Sequence, residues 1–201
     1  MSQNTGHGTG PSTSQDADSA TTAEVSEVLA GAAANHAADL ATNFKNAFRY
    51  HPAGVALITA STPEGPVGLT ASSVASVAVD PAALVFSVTR TTGSAGLILA
   101  ANSFLVHLLD AEHAPIAQQF AVSGGERFTE AQGWATLATG EPHLASARSA
   151  LRARTLQQIP VGDSMLVVAE VLEIHTGPED PAASAPMAYR DRAFTRLGER
   201  L

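Results

Sequence analysis

The chain has 201 residues, of which 45% are hydrophobic and 15% are charged, and its formal net charge at pH 7 is -8. This composition is typical of a globular protein with one core, and the acidic balance argues against a nucleic-acid or anionic-membrane surface, which needs clustered Lys and Arg. The absence of cysteine excludes disulfides, thiolate nucleophiles and cysteine metal sites. No apolar run reaches the roughly 20 residues of a membrane-spanning helix, and residues 1–22 lack the layout of a signal peptide, so we expect a cytoplasmic protein.

The chain divides into a short N-terminal segment and a longer segment of different composition. Residues 1–22 consist mainly of Gly, Ser, Thr, Gln and Asp, which predicts a disordered tail, and residues 23–201 are expected to form a single domain that begins with a helix. Apolar residues recur with three- and four-residue spacing at Ala37, Leu40, Phe44, Ala47 and Phe48. This helix is expected to end near Tyr50, because Pro52 disfavours helical geometry in the residue before it.

Short apolar segments follow the helix in chain order. Strands are predicted at residues 54–61, 67–79, 83–89, 103–109, 149–161, 164–177 and 187–197. Short helices are predicted at residues 92–102, with Thr92 or Ser94 near the cap, and at 111–122. The strands are hairpin-like and outnumber the helices, which favours a mainly β fold with helical insertions, a small closed or partly closed barrel, over a doubly wound sheet.

Three common kinds of functional motif are missing from the sequence. The histidines are scattered without the short spacing of metal ligands, so no metal site is predicted. A G-x-S-x-G nucleophile elbow is absent, and no G-x-G-x-x-G follows a strand. The sequence therefore indicates neither a serine hydrolase nor a Rossmann nucleotide site.

One predicted strand is unusually rich in hydroxyl groups. The stretch GLTASSVASVAVDP (68–81) contains Thr70, Ser72, Ser73 and Ser76 among Ala and Val. Hydroxyls and backbone amides can hold a flat polar heterocycle or a phosphate, and the helix start near Thr92 and Ser94, directly after Arg90, adds a positive dipole end. The alternative is that these hydroxyls only pair across neighbouring strands.

The order of these segments resembles the short-chain flavin reductases, the reductase components of two-component flavin monooxygenases. The resemblance runs from about Phe44 to Leu201, and its most specific part is GLTASS followed by S-V-x-x-D-P. It includes ERF at 126–128, GDS at 162–164 and AYRDRAFTRL near the end. The resemblance implies an FMN-binding split barrel, which is a Greek-key β-barrel, usually a homodimer with flavin at or near the subunit interface. It also implies NAD(P)H-dependent reduction of FMN or FAD and delivery of the reduced flavin to a partner monooxygenase.

The same resemblance implies a set of cofactor-binding residues. Those expected beside the flavin ring are Pro52, Ala53, Gly54 and Val55, and those expected on the ring and ribityl chain are Thr70, Ala71, Ser72 and Ser73. The phosphate group is expected at Arg90, Thr92 and Ser94. His107 occupies the position of an asparagine in many relatives and is expected to contact flavin. No catalytic side chain is expected, because hydride transfer between two cofactors needs mainly positioning and a dry pocket.

The nicotinamide site departs from the family pattern. Ser164 stands where many relatives have a histidine associated with the nicotinamide nucleotide. Tyr189 and Arg190, with Arg192, are candidates for steering the anionic dinucleotide, and solvated charge is the alternative for each. Three other functions stay open: a flavin carrier or storage protein without catalysis, a structural barrel without flavin, and a relative of pyridoxamine-phosphate oxidase, for which we find no basic substrate pocket.

Overall fold

The structure is a computed structural model that describes residues 14–122, 124–177 and 185–198, with side chains from residue 26 onward. It divides into two compact units between Arg49 and Tyr50. The described part of the first unit is one helix, α1 (Ser14–Arg49), and the predicted helix end near Tyr50 is confirmed. Residues 14–22, which composition assigned to the disordered tail, belong to this helix, and residues 1–13 of that tail lie outside the described residues. The extent of the domain, 23–201, stays a prediction.

The second unit consists of twelve strands and two α-helices in its described part. The strands are β1 (Ala53–Gly54), β2 (Ala56–Thr62), β3 (Gly65–Ala71), β4 (Ala75–Val79), β5 (Ala82–Thr89), β6 (Phe104–Leu108), β7 (Trp134–Thr136), β8 (Pro142–Leu144), β9 (Ser149–Val161), β10 (Ser164–Thr176), β11 (Met187–Arg190) and β12 (Ala193–Arg196). The helices are α2 (Gly93–Ala100) and α3 (Ala114–Ala121). The molecule is therefore mainly β with helical insertions, as the sequence predicted.

Antiparallel pairing builds one large sheet and two small ones. The large sheet has the order β3-β2-β6-β9-β10-β5-β4, and the small sheets are β1-β11-β12 and β7-β8. The β7-β8 hairpin was not predicted, because its three-residue strands are too short to show a period of two.

Both faces of the large sheet carry apolar side chains. Ile58 and Phe86 belong to a core cluster on one face, and Leu57 and Phe120 belong to a second cluster that includes α3 and β11. Neighbouring residues of a strand point to opposite faces, so Leu57 and Ile58 of β2 serve different clusters. Burial on both faces explains why β2 reads as a continuous apolar run.

Two strand predictions were wrong in the same way, because each segment folds into two strands. Segment 67–79 breaks at residues 72–74, and its halves β3 and β4 lie at opposite edges of the large sheet. Segment 187–197 is the hairpin β11-β12, whose turn residues Asp191 and Arg192 have φ of 50° and 63°. Positive φ at both turn residues matches the twist of a hairpin, but the usual glycine signal is missing.

None of the helices in the described ranges is long and apolar enough to cross a membrane.

Candidate functional site

A cavity of about 260 Å³ lies where β3, α3 and the β11-β12 hairpin meet. It is lined by Val55, Thr70, Ser72, Gln118, Ala121, Tyr189, Arg192 and Phe194. Sites for drug-sized ligands occupy roughly 300–1,000 Å³. The cavity can therefore hold one end of a nucleotide cofactor rather than all of it.

Thr70 and Ser72 bring two of the predicted hydroxyls to this cavity. Thr70 lies opposite Leu57 on β2, and its Oγ1 donates a hydrogen bond to the carbonyl oxygen of Ala117 at 2.7 Å. This bond fixes the Thr70 hydroxyl against α3 and leaves its oxygen lone pairs as acceptors. Ser72 is exposed at the end of β3, and its hydroxyl has no hydrogen bond within the described ranges.

Ala71 and Ser73, the alternate residues of this stretch, do not line the cavity. Ala71 is buried in the core cluster of the large sheet. Ser73 hydrogen-bonds the backbone of Ser87 on β5 in both directions, at 2.9 and 3.0 Å. For Ser73 the structure supports the alternative that a strand hydroxyl pairs with a neighbouring strand.

The predicted turn at residues 52–55 also borders the cavity. Ala53 pairs with Tyr189 on β11, and Val55 is buried in the cavity wall. Gly54 instead lines a second cavity of about 100 Å³, which Val55 also borders, and Pro52 is exposed. The short β1-β11 pairing thus places the turn beside Tyr189, but only Val55 of the four residues contacts the larger cavity.

The β11-β12 hairpin contributes aromatic rings and one positive charge. The ring centroids of Tyr189 and Phe194 lie 5.4 Å apart in the cavity wall. The exposed Arg192 lines the cavity from the turn. Arg190 points elsewhere, since its Nε donates to the carbonyl oxygen of Tyr50 at 3.1 Å and its guanidinium lies 5.6 Å from the Tyr50 ring centroid. The structure therefore supports Arg192 rather than Arg190 at the cavity. Arg190 follows Tyr189 on β11 and points away from the cavity that Tyr189 lines, because neighbouring strand residues alternate.

The predicted phosphate group lies around the start of α2. Thr92 precedes the helix and makes no side-chain capping hydrogen bond, so the first N–H groups of α2 have no side-chain acceptor there. Arg90 is exposed with φ of 68°, and its N–H donates to the carbonyl oxygen of Asp163 at 3.1 Å. N–H groups at a helix start without a side-chain acceptor favour an anion at this place.

Arg127 connects this helix start to the cavity, although no role was assigned to it from the sequence. Its Nη1 donates to Gly68 O at 3.1 Å and to Ser94 Oγ at 3.3 Å. Its Nη2 donates to Val122 O at 2.7 Å and to Phe120 O at 3.3 Å. Arg127 therefore ties β3, α2 and the end of α3 together. The only sequence signal was the ERF motif, because these contacts join residues far apart in the chain.

The charge of Arg127 is not neutralised by a carboxylate within the described ranges. All four of its hydrogen bonds go to neutral oxygens, its Nε is buried without a partner, and its guanidinium lies 5.3 Å from the Phe120 ring centroid. A half-buried guanidinium with neutral partners keeps a positive field in its surroundings. This charge adds to the preference for an anion near Ser94.

His107 lies in the core instead of at the cavity. Its Nδ1 donates to Leu57 O at 3.0 Å, its Nε2 accepts from the N–H of Leu144 at 3.1 Å, and the residue is fully buried. Burial lowers the pKa of His107 to about 3, so the ring is neutral at physiological pH. With both nitrogens used internally, His107 gives no support to the predicted flavin contact.

Ser164 and Tyr189, both predicted for nicotinamide binding, lie in different sheets. Ser164 begins β10 opposite Thr89, next to the bond between Asp163 and Arg90. Tyr189 belongs to the small β1-β11-β12 sheet. Ser164 therefore groups with the predicted phosphate residues, and Tyr189 groups with the cavity.

The donor set of the cavity fits a flavin. Apolar and aromatic groups of Val55, Ala121 and Phe194 suit a planar ring, and hydroxyl and amide groups suit its polar edge. The lining contains one arginine and no carboxylate, which suits an anionic ligand. The described ranges contain no cluster of three His, Asp or Glu side chains placed for a metal ion.

Comparison with known proteins identifies the family. The model of the "Flavin reductase like domain" matches residues 48–198. The NADH:FMN oxidoreductase of Rhodococcus qingshengii is 39% identical over 156 residues, covering 78% of this chain and 81% of the relative. An FMN reductase (NADH) of Agrobacterium fabrum is 30% identical over 147 residues, covering 73% of this chain and 83% of the relative. The crystal structure of a flavin reductase domain protein from Arthrobacter sp. FB24 superimposes with a TM-score of 0.71 at 29% identity, over 79% of this chain and 96% of that chain, which confirms the predicted fold. The chain therefore belongs to the flavin reductase family.

Proposed function

We propose that this protein is an NAD(P)H-dependent flavin reductase that transfers hydride from a nicotinamide nucleotide to FMN or FAD. The observation that carries the proposal is the cavity in which the hydroxyls of Thr70 and Ser72 meet Tyr189, Arg192 and Phe194. The similarity to the NADH:FMN oxidoreductase of Rhodococcus qingshengii and to the FMN reductase (NADH) of Agrobacterium fabrum supports NADH as donor and FMN as acceptor.

The residues of the cavity position ligands and supply no acid or base. When bound, flavin supplies the acceptor for a hydride from nicotinamide. The rings of Tyr189 and Phe194 form an apolar wall that excludes water from one side of the cavity. Thr70 offers an acceptor oxygen whose position is fixed by its bond to Ala117, and Arg192 attracts the anionic part of either nucleotide.

We place the flavin phosphate near Ser94 and Arg127. Gly68, which accepts from Arg127, precedes Thr70 by two residues, or about 7 Å along the strand. Because Arg127 donates to Ser94 Oγ, the Ser94 O–H is left to donate to another acceptor such as a phosphate oxygen. Thr92 and the N–H groups at the start of α2 supply further donors.

We further propose that the chain releases reduced flavin to a partner monooxygenase in the cytoplasm. The cavity of about 260 Å³ is smaller than a site that encloses a whole nucleotide, which suits flavin exchanged as a substrate. The resemblance to the reductase components of two-component systems supports the same role.

We also propose a homodimer, as the resemblance implies. Edge strand β4 exposes Val77 and Val79, the latter to 91%. An apolar edge strand favours pairing with another chain, so a second subunit at β4 would cover both valines.

The direct test is oxidation of NADH and of NADPH by the purified full chain with FMN and with FAD. We expect flavin-dependent loss of nicotinamide absorbance with at least one donor. The absence of oxidation above background for both donors would contradict the reductase. Tight flavin binding without turnover would instead identify the carrier or storage protein.

Matched hydroxyl deletions test the placement of the site. The double variant Thr70→Val with Ser72→Ala should weaken flavin binding at least tenfold, measured by fluorescence titration. Ser76→Ala removes an exposed hydroxyl of β4 that does not line the cavity, so its affinity should equal that of the unmodified chain. Unchanged affinity in the double variant would favour a structural role for these hydroxyls.

A further inference from the structure

Helix α1 carries a stripe of apolar side chains that are more than half exposed. Leu29, Leu40, Phe44 and Phe48 are 58–64% exposed, and Phe44 and Phe48 contact each other with ring centroids 4.8 Å apart. With Ala33 and Ala37 they follow steps of three and four residues, so all six lie on one side of the helix. An isolated helix of this kind gains most of its stability from packing of the apolar face.

This helix lies almost wholly outside the region that the family model matches. The family model begins at residue 48, whereas α1 begins at Ser14. The matched flavin reductase domain therefore does not account for the stripe.

We propose that α1 is a self-association helix that packs antiparallel against α1 of a second copy of this chain. In the proposed register Leu29 lies opposite Phe48 of the partner copy, Ala33 opposite Phe44, and Ala37 opposite Leu40. Each small residue of the stripe then lies opposite a large one, which is how facing helices interdigitate.

The charge distribution favours the antiparallel direction. The half at residues 14–31 has four acidic residues, Asp16, Asp18, Glu24 and Glu27, and no Lys or Arg. The half at residues 32–49 has Lys45 and Arg49 against Asp39. In the proposed antiparallel register residues 14–27 of each copy extend beyond the overlap, so the acidic residues of the two copies stay apart, whereas parallel packing would bring the two acidic halves together.

The area available is consistent with a stable contact. The overlap at residues 29–48 extends over about 30 Å of helix. Each phenylalanine can bury about 150–250 Å². Two from each copy supply half or more of the roughly 1,200 Å² at the lower limit of specific interfaces, and the leucines add to this. A second copy therefore fits this face in pattern, charge and size.

Cysteine crosslinking of the full chain tests this register, because the natural sequence contains no cysteine. Disulfides require Cα atoms about 4.4–6.8 Å apart. Equimolar Ala33→Cys and Phe44→Cys chains, mixed, allowed to exchange and oxidised with diamide, should give a disulfide-linked dimer of one chain of each kind. Each variant alone should stay uncrosslinked, because identical positions are 11 residues, or about 16 Å, apart along the antiparallel pair. Ala38→Cys, on the opposite side of α1, should not crosslink to Phe44→Cys.

Three results would overturn the proposal. Crosslinking of Ala33→Cys with itself would show parallel packing. The absence of a mixed dimer, with circular dichroism and elution volume unchanged from the unmodified chain, would show that something else covers the stripe. Equal crosslinking of Ala38→Cys and Ala33→Cys to Phe44→Cys would show random collision. The proposal does not depend on the reductase activity, which the crosslinks do not measure.

Discussion

The side chain of Ser73 hydrogen-bonds the backbone of Ser87 twice. Ser73 Oγ accepts from the N–H of Ser87 at 2.9 Å and donates to the carbonyl oxygen of the same residue at 3.0 Å. Ser73 follows β3, whereas Ser87 lies within β5, near the opposite edge of the large sheet. One hydroxyl thus links the end of β3 to β5, two strands that are far apart in the order of the large sheet.

Ser73→Ala should destabilise the fold, because it leaves a partly buried N–H and carbonyl without their partner. We expect the free energy of unfolding to fall by about 2 kcal/mol, measured by urea denaturation. Ser72→Ala removes an exposed hydroxyl, so it should change the free energy of unfolding by less than about 0.5 kcal/mol. The same variant should weaken flavin binding. Equal effects of the two variants on stability would contradict this division of roles.

Arg192→Gln should raise the Kd for flavin or the KM for the nicotinamide nucleotide several-fold, because Arg192 is the only cationic residue lining the cavity within the described ranges. Arg190→Gln is the matched control, since it removes the same charge from a side chain bound to Tyr50 O. The effect of Arg190→Gln should be less than twofold. Equal weakening by both changes would indicate long-range attraction instead of contact at the cavity.

Arg192→Gly should separate stability from binding. The φ of 63° at Arg192 is costly for a residue with a side chain and is easily adopted by glycine. We expect Arg192→Gly to raise the free energy of unfolding by up to about 1 kcal/mol while binding weakens as in Arg192→Gln. A loss of stability would show that Arg192 contributes packing that outweighs the backbone cost.

Arg127→Lys should reduce both stability and flavin affinity. A lysine ammonium cannot reproduce the fork that reaches Gly68, Ser94, Phe120 and Val122 together. We expect a loss of about 2 kcal/mol in unfolding free energy and at least a tenfold rise in the flavin Kd. The affinity for riboflavin, which lacks the phosphate, should change much less, and an equal change for both flavins would contradict the proposed phosphate contact.

His107 should make stability fall as the pH falls below about 6.5. The unfolded histidine takes up a proton near its ordinary pKa of 6.5, whereas burial lowers the pKa in the folded chain to about 3. Between these values the unfolded state binds more protons, so the free energy of unfolding decreases by up to about 1.4 kcal/mol per pH unit. His107→Asn should be less stable at pH 7, since Leu144 N–H loses its acceptor, and should show a shallower decrease between pH 6.5 and 5.

Glu141 acts in a lower pH range and does not obscure this measurement. Burial alone would raise the pKa of Glu141, but hydrogen bonds from Ser103 and Thr139, then from its own backbone and Arg152, lower it from 4.5 to about 2. Its stabilising effect is present above pH 4.5 and is lost as the pH falls towards 2. An unchanged slope between pH 6.5 and 5 in His107→Asn would assign the effect to another group, such as His143, whose ring lies 6.0 Å away and whose pKa burial also lowers.

Sequence reasoning located the polar stretch of the site but not the side chain directions. Thr70 and Ser72 reach the cavity, while Ala71 and Ser73 turn to the core and to β5, because alternate residues of a strand face opposite sides. An error of one residue in the predicted register therefore exchanges the side chains that face the cavity with those that pack in the core. The same rule turns Arg190 away from its neighbour Tyr189, whereas Arg192 reaches the cavity because it lies in the hairpin turn, which no glycine marks in the sequence.

Contacts between residues that are far apart in the chain could not be predicted from sequence patterns. Arg127 gathers oxygens from β3, α2 and α3, which only the folded chain brings together. His107 has the ring of a pH-active group, but its two backbone partners at Leu57 and Leu144 make it a neutral part of the core. Neither arrangement has a local spacing that could predict it.

The β11-β12 hairpin belongs to a small sheet that shares no strand with the large one, yet it supplies three of the residues around the cavity. Met187 anchors the hairpin in the core cluster that contains Leu57 of β2, whereas the turn at Asp191 and Arg192 is exposed and can change with little effect on that packing. Ligand preference at the cavity can therefore evolve in two exposed turn residues while the core of the barrel stays unchanged.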